Sequence, residues 1–284
     1  MKKRNILLIA ILFFALCTYV LVYIHHIEVG RKVLTVAFLN IGQGDAIFIE
    51  APNGNQVLLD AGKNTEILQQ LSGVMHFYDR TLDVVAYTHP DLDHVGGIPL
   101  VLERYKVEKI MYPTISATSS IIELIRNLEK NEGAEIIYPK QTDRFILDSQ
   151  KNIYFDVLWP NPNIKAKDTN DSSMIIRLVY GETEFMLTGD ASKAIEQNVL
   201  DAYGTQIESD VLKAGHHGSK TSTDQEFVSA IKPRYTIISA GKDNSYGHPH
   251  ADTIATLKSA STTILYTWDG PVIFTSDGKG IIKK

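Results

Sequence analysis

The chain has 284 residues, of which 44% are apolar and 21% charged, with a formal net charge of −5 and one cysteine. These figures exclude a disordered chain, a collagen-like repeat and a multi-pass membrane protein, and leave room for one large domain or two small ones. The lone Cys17 excludes an internal disulfide framework and a cysteine-based zinc site.

Lys2, Lys3 and Arg4 precede an apolar run from Ile6 to Ile24, interrupted only by Thr18 and tyrosines. As a helix the run reaches roughly 28 Å at about 1.5 Å per residue, enough for a bilayer's hydrocarbon core. The basic flank keeps the N-terminus cytoplasmic and sends the rest outward. Residues 1–28 are therefore expected to anchor the chain in the cell membrane, with residues 29–284 as an extracytoplasmic domain. Cleavage of the segment as a signal peptide would instead give a secreted protein. The first 28 residues carry Lys2, Lys3 and Arg4 against Glu28, so the remainder has a net charge of −7. Nucleic acid is then repelled at long range, and contact with phosphates needs a local basic strip or a bound cation.

From Val33 onward, short β-branched runs alternate with helical patterns. VLTVAFL, AIFIEAP, QVLLDAG and DVVAYTHP read as strands, followed by the helical IPLVLERY, KIMYP, the amphipathic SSIIELIRNLEKN and EIIYP. A second group, IYFDVLWP, SMIIRLVY and EFMLTGD, leads into helix-like ASKAIEQNVLDAYG, then SDVLKAGHHGS, DQEFVSAIK, RYTIISAG, ADTIATLKSA and closing strands near TILYTW and VIFTS. The pattern predicts an α/β (α+β) domain with two groups of strands. Residues 161–170 form the most loop-like segment, read as an active-site or surface loop.

The strongest chemical signal is His89-Pro90-Asp91-Leu92-Asp93-His94-Val95-Gly96-Gly97, directly after an apolar strand. Four potential ligands, His89, Asp91, Asp93 and His94, fall within six residues, and the paired glycines let the backbone turn into a helix. Two divalent ions about 3.5 to 4 Å apart need a shared carboxylate, and Asp190, after the strand ending in Leu187-Thr188, is the candidate. Asp93 and Asp190 are thus the expected catalytic carboxylates. His216 and His217 in Lys213-Ala214-Gly215-His216-His217-Gly218-Ser219 follow a third strand, and spacing alone does not say which is the ligand. Asn170, Asp171 and Ser173, together with His248, sit where loops could rim a cleft, or are ordinary turn formers. Lys213, Ser219 and Lys220 read either as contacts for an anionic substrate or as a solvated loop.

Together these residues resemble the metallo-β-lactamase superfamily, and within it the extracellular hydrolase domain of ComEC-type competence proteins. The resemblance rests on Asn40-Ile41-Gly42-Gln43-Gly44-Asp45-Ala46, Leu59-Asp60-Ala61-Gly62, the His89–Gly97 loop, Thr188-Gly189-Asp190 and His216-His217-Gly218-Ser219, in this order. It implies a four-layer αββα sandwich holding two divalent metal ions, zinc or manganese. It further implies one ion on His89, Asp91 and Asp190, the other on Asp93, His94, Asp190 and one of His216 or His217, with Asp60 orienting a ligand histidine. Asp91 stands where most of the superfamily has a histidine, and Asn170-Asp171 where another would come. The oxygen-rich set lowers the preference for zinc relative to manganese.

The expected function is an extracytoplasmic metal-dependent phosphodiesterase or nuclease acting on DNA. Alternatives are hydrolysis of a choline phosphodiester, a lactone or a lactam, and a non-catalytic binding subunit.

Overall fold

The computed structural model describes residues 2–30, 33–114 and 119–284. Helix α1 (Lys2–Gly30) contains Asn5–Tyr23, long and apolar enough to cross a membrane by length and composition, with a mean hydropathy of 2.7. The domain begins with β1 (Leu34–Phe38), β2 (Ile47–Glu50) and β3 (Gln56–Leu59), which pair as an antiparallel meander. Helix α2 (Glu66–Val74) crosses to β4 (Thr81–Ala86), helices α3 (Leu92–Val95) and α4 (Ile98–Arg104) to β5 (Lys106–Met111), and α5 (Ser120–Glu132) to β6 (Glu135–Ile137). From β3 to β6 the pairing is parallel, as helical crossovers require.

The second sheet takes β7 (Arg144–Asp148), β8 (Ile153–Trp159), β9 (Ile175–Tyr180), β10 (Thr183–Leu187), β11 (Val211–Lys213), β12 (Tyr235–Ile238) and β13 (Thr263–Tyr266) in sequence order. Helices α6 (Lys193–Tyr203), α7 (Gln225–Ile231) and α8 (Ala251–Ser259) connect β10 to β13, and those four strands run parallel. The chain then returns: β14 (Val272–Ser276) pairs with β1, and β15 (Ile281–Lys283) closes that edge, giving the first sheet eight strands.

Strand periodicity builds the layers. Val36, Phe38, Ile47 and Ile49 point into a core shared with Phe185, Val211 and Phe274, so the two sheets face each other. The alternate residues Ala37, Leu39 and Phe48 point the other way, onto Ile98, Val101, Ile122 and Ile125 of the first helical layer. Leu212 and Ile238 face Ile195, Val199, Phe227 and Leu257 in the second. Three cores between four layers make an αββα sandwich. The strands of both sheets are therefore apolar on two faces, which is why they read as near-continuous hydrophobic runs.

The C-terminal ends of β3, β4, β10, β11 and β12 gather the polar residues at one edge, where chain leaves the apolar layers and side chains converge without occupying core volume.

Candidate metal centre

His89 and His94 come from the turn after β4. Gly97 opens α4 with its backbone so close to β3 that a Cβ there would lie 2.2 Å from the Ala61 carbonyl oxygen. Gly44, at φ +125°, brings the Asn40–Ala46 loop onto the same turn, where a Cβ would lie 2.1 Å from the Asp93 carbonyl. Asp45 N–H donates to that carbonyl at 3.2 Å. These glycines press three separate loops together around one point.

Asp60, just after β3, is buried at φ 59°. Its Oδ1 accepts from the Thr88 backbone N–H at 2.8 Å, and its Oδ2 from the Thr88 hydroxyl and from His94 Nδ1, both at 2.9 Å. An Nδ1 proton held by a carboxylate leaves the His94 Nε2 lone pair free in the neutral ring. His217 is fixed in the same way, with Nδ1 donating to the Ser239 carbonyl at the end of β12, 2.9 Å away. The two Nε2 atoms then stand 3.4 Å apart. His216 and His217 occupy successive left-handed conformations, φ 48° and 56°, a geometry costing about 1–2 kcal/mol per residue. It turns both rings toward Asp190.

Asp190 is the centre of the arrangement. Its Oδ1 is 3.3 Å from His94 Nε2, and its Oδ2 is 3.2 Å from His217 Nε2, 3.7 Å from His216 Nε2 and 4.0 Å from His89 Nε2. Asp93 Oδ2 is 3.3 Å from His217 Nε2, and Asp91 Oδ2 is 3.7 Å from His89 Nε2. Potential ligand atoms of Asp45, His94, Asp190 and His217 all lie within 4.8 Å of one another. Asp45 reaches the imidazoles on their Nδ1 sides, 3.4 Å from His217 and 3.9 Å from His94, and is paired with the Lys213 ammonium. It supports the rings from behind. The sequence names Asp45 only as part of the Asn40–Ala46 motif and gives it no ligand role; its place directly after Gly42-Gln43-Gly44 was the available signal.

Lys213 corrects one expectation. Its ammonium is fully buried, contacts Asp45 and Asp190, and donates to the Gly189 carbonyl at 2.9 Å, so it faces no substrate. Ser219 is also buried and shares a hydrogen bond with the Thr221 hydroxyl at 2.9 Å, shaping the turn. Of that trio, only Lys220 is exposed. Asp171 is turned into structure, accepting from the Ser192 hydroxyl and the Lys167 N–H, and Ser173 accepts from the Asp190 N–H at 3.0 Å. Asn170 Nδ2 lies 3.4 Å from His216 Nδ1. His248 packs its ring against those of His216 and His217, at centroid distances of 5.5 and 6.3 Å.

The charges act strongly on one another. Burial opposes protonation of His94, but Asp190 and Asp60 outweigh it and hold the pKa well above the ordinary imidazole value. His217 behaves alike, with Asp190 and Asp45 overcoming burial. Burial, reinforced by His94, pushes His89 down to about 3. His248 falls to about 4 through burial and the neighbouring His216. For Asp190, burial is overcome by His217, His94 and Lys213, which together keep it ionised far below its usual range.

The donor set fits divalent cations. His89 Nε2, Asp190 Oδ1 and Asp45 Oδ1 are buried without a hydrogen-bond partner, an expensive state unless a cation meets them. The carboxylates of Asp45, Asp60, Asp91, Asp93 and Asp190 against the single ammonium of Lys213 leave −4 when the imidazoles are neutral, the charge of two divalent ions.

Comparison with known proteins agrees with this geometry. The profile of the Metallo-beta-lactamase superfamily matches residues 39–242, and the chain belongs to that superfamily. Among individual proteins it is 33% identical over 250 residues to ComE operon protein 3 of Bacillus subtilis, covering 82% of this chain and 31% of that protein. It is 31% identical over 220 residues to competence protein ComA of Neisseria gonorrhoeae, covering 75% and 28%. The chain thus spans less than a third of the length of these curated relatives. Among solved structures, the metallo-β-lactamase fold protein YhfI from Bacillus subtilis superposes with a TM-score of 0.58 at 12% identity, over 86% of this chain and all of that one. At that identity the likeness shows the fold alone.

Proposed function

We propose that the chain is a metal-dependent phosphodiesterase that cleaves DNA outside the cytoplasm, held at the membrane by α1. The observation that carries the hydrolase reading is the pair of imidazole Nε2 atoms 3.4 Å apart, both facing Asp190. His94, His217, Asp93 and Asp190 would hold one ion, and His89, Asp91, Asp190 and His216 the other. Bound divalent cations would act there as Lewis acids, stabilising charge on phosphoryl oxygens and making water acidic enough to attack near neutral pH.

The protein's own residues do the positioning. Asp60 and the Ser239 carbonyl lock the tautomers of His94 and His217, while Lys213 offsets the carboxylate charge that would otherwise drive these loops apart. Asp91 and Asp93 keep 41% and 29% of their side-chain surface open, so the face they border is where a substrate approaches. His248, held neutral, stands beside that face with an unpartnered Nδ1. The DNA substrate and outward location are supported by the competence relatives and the basic N-terminal flank.

The test is turnover of bis-p-nitrophenyl phosphate, linear DNA and a chromogenic lactam with manganese, zinc or chelator. Cleavage of both phosphodiesters and not the lactam, preferring manganese, is the expected result. Lactam turnover alone would replace this reading with the lactamase one.

A further inference from the structure

With Lys213 sequestered, this acidic domain needs another source of positive charge to meet a phosphate backbone. A groove of about 710 Å³ supplies it. Exposed Lys140, from the turn after β6, and exposed Lys165 and Lys167, from the loop after β8, line it together. The acidic Asp168 among them is already engaged, its Oδ1 accepting from the Asp171 N–H at 2.9 Å. Pro139, Pro160 and Pro162 stiffen the rim, and Tyr138 keeps 55% of its surface exposed while its ring rests edge-on against Tyr112.

One wall of the groove adjoins the metal centre. Thr169, which lines it, hydrogen-bonds the Asp91 carboxylate, and the adjacent Asn170 reaches His216. A small ester held at Asp190 has no atoms to place beside the three lysines, whereas a polymer cleaved there has neighbouring residues to place along them. Cationic side chains tracking a backbone beside an exposed aromatic ring are the combination that holds a flexible single strand.

From this arrangement we infer that the groove is a subsite for single-stranded nucleic acid, in which Lys140, Lys165 and Lys167 bind phosphates next to the scissile one and Tyr138 stacks a base. This inference rests on the phosphodiesterase reading and adds to it a place where strand, rather than ester, is recognised.

The test measures binding of a labelled single-stranded oligothymidylate to the metal-stripped full chain by fluorescence anisotropy across a salt series. With Lys140→Ala, Lys165→Ala and Lys167→Ala combined, the dissociation constant is expected to rise about tenfold or more, and the slope of log affinity against log salt to flatten by about 2. Tyr138→Ala should weaken binding severalfold with the slope unchanged. A variant carrying Lys106→Ala, Lys109→Ala and Lys258→Ala, with the same loss of charge on surfaces away from the groove, should bind as wild type does. Equal losses in the two triple variants, or none in the groove variant, would overturn the subsite. Hydrolysis of bis-p-nitrophenyl phosphate by the metal-loaded wild type is scored separately: its absence sinks the phosphodiesterase reading, while strand binding still decides the groove.

Discussion

The two sides of Asp190 are built differently. On one side His94 and His217 are almost completely buried, and each has its Nδ1 tied to a fixed acceptor, Asp60 or the Ser239 carbonyl. On the other, Asp91 keeps 41% and His216 26% of its side-chain surface exposed, and the partners are the hydroxyls and amide of Thr169, Thr221 and Asn170. Asp93 on the first side keeps 29% exposed and His89 on the second is buried, so the contrast lies in the other ligands: the two tied imidazoles lose little freedom on taking up a cation, whereas Asp91 and His216 must be ordered at that moment. The first ion should therefore settle beside His94 and His217, and the second, held more weakly, beside Asp91, within reach of the lysine-lined groove.

The largest effect falls on what the two poles share. Asp190→Asn should remove both ions, measured as metal content by atomic emission, and take hydrolysis to background, while circular dichroism stays that of a folded protein. Asp60→Asn attacks the buried pole alone by loosening the His94 tautomer, and metal affinity should fall by about 10–100-fold. Retention of full affinity would mean that burial, not the hydrogen bond, holds the ring. His216→Ala attacks the open pole and should lower metal content by about one ion per chain with the tighter ion retained. Loss of both would erase the distinction.

Protonation sharpens the same contrast. In the metal-free protein the raised pKa values of His94 and His217 mean that these rings carry protons which cations must displace. The buried pole should thus release protons on metal uptake at neutral pH, and its affinity should rise with pH until the rings are neutral. His89 and His216, whose pKa values burial lowers, have none to release there. Calorimetry in buffers of different ionisation enthalpy reads the count, and a buffer-independent heat for the first ion would contradict it.

The smallest expected effect lies beneath the His216-His217 turn. Glu196 is buried, accepts from the Thr223 and Asp224 N–H groups at 2.9 and 2.7 Å, and burial raises its pKa to about 7. A carboxyl whose folded pKa is raised contributes stability that is full below its unfolded pKa of about 4.3 and is lost as pH rises to about 7. Melting temperature of the chelated protein should fall across that window, and the difference between wild type and Glu196→Gln should change with pH only there.

Much of this was legible in the sequence because the chemistry is local. His89, Asp91, Asp93 and His94 sit on one turn after one strand, so their convergence follows from six residues of chain. The choice between His216 and His217 was not local: the Ser239 carbonyl, from another strand, holds His217 at the buried pole and leaves His216 at the open one. The place of Lys213 was hidden for the same reason. A lysine beside two histidines reads as a contact for an anionic substrate or as part of a solvated loop, yet its partner Asp45 comes from far back in the chain and takes it inside. The sheet membership of the last strands was equally hidden, since TILY and VIFTS have the same apolar pattern but β13 extends the second sheet and β14 joins the first.

That return of β14 also decides how the domain bears load. β1 begins shortly after α1 and lies between β14 and β2, antiparallel to both, so any tension arriving through the N-terminal helix enters an interior strand. For a pull along the strand, hydrogen bonds on its two flanks lie across the direction of pull and must shear together, where an edge strand would be held by one ladder only. Without β14 the same strand would be held on the β2 side alone, and the seam next to the N-terminal helix would lose one of its two ladders.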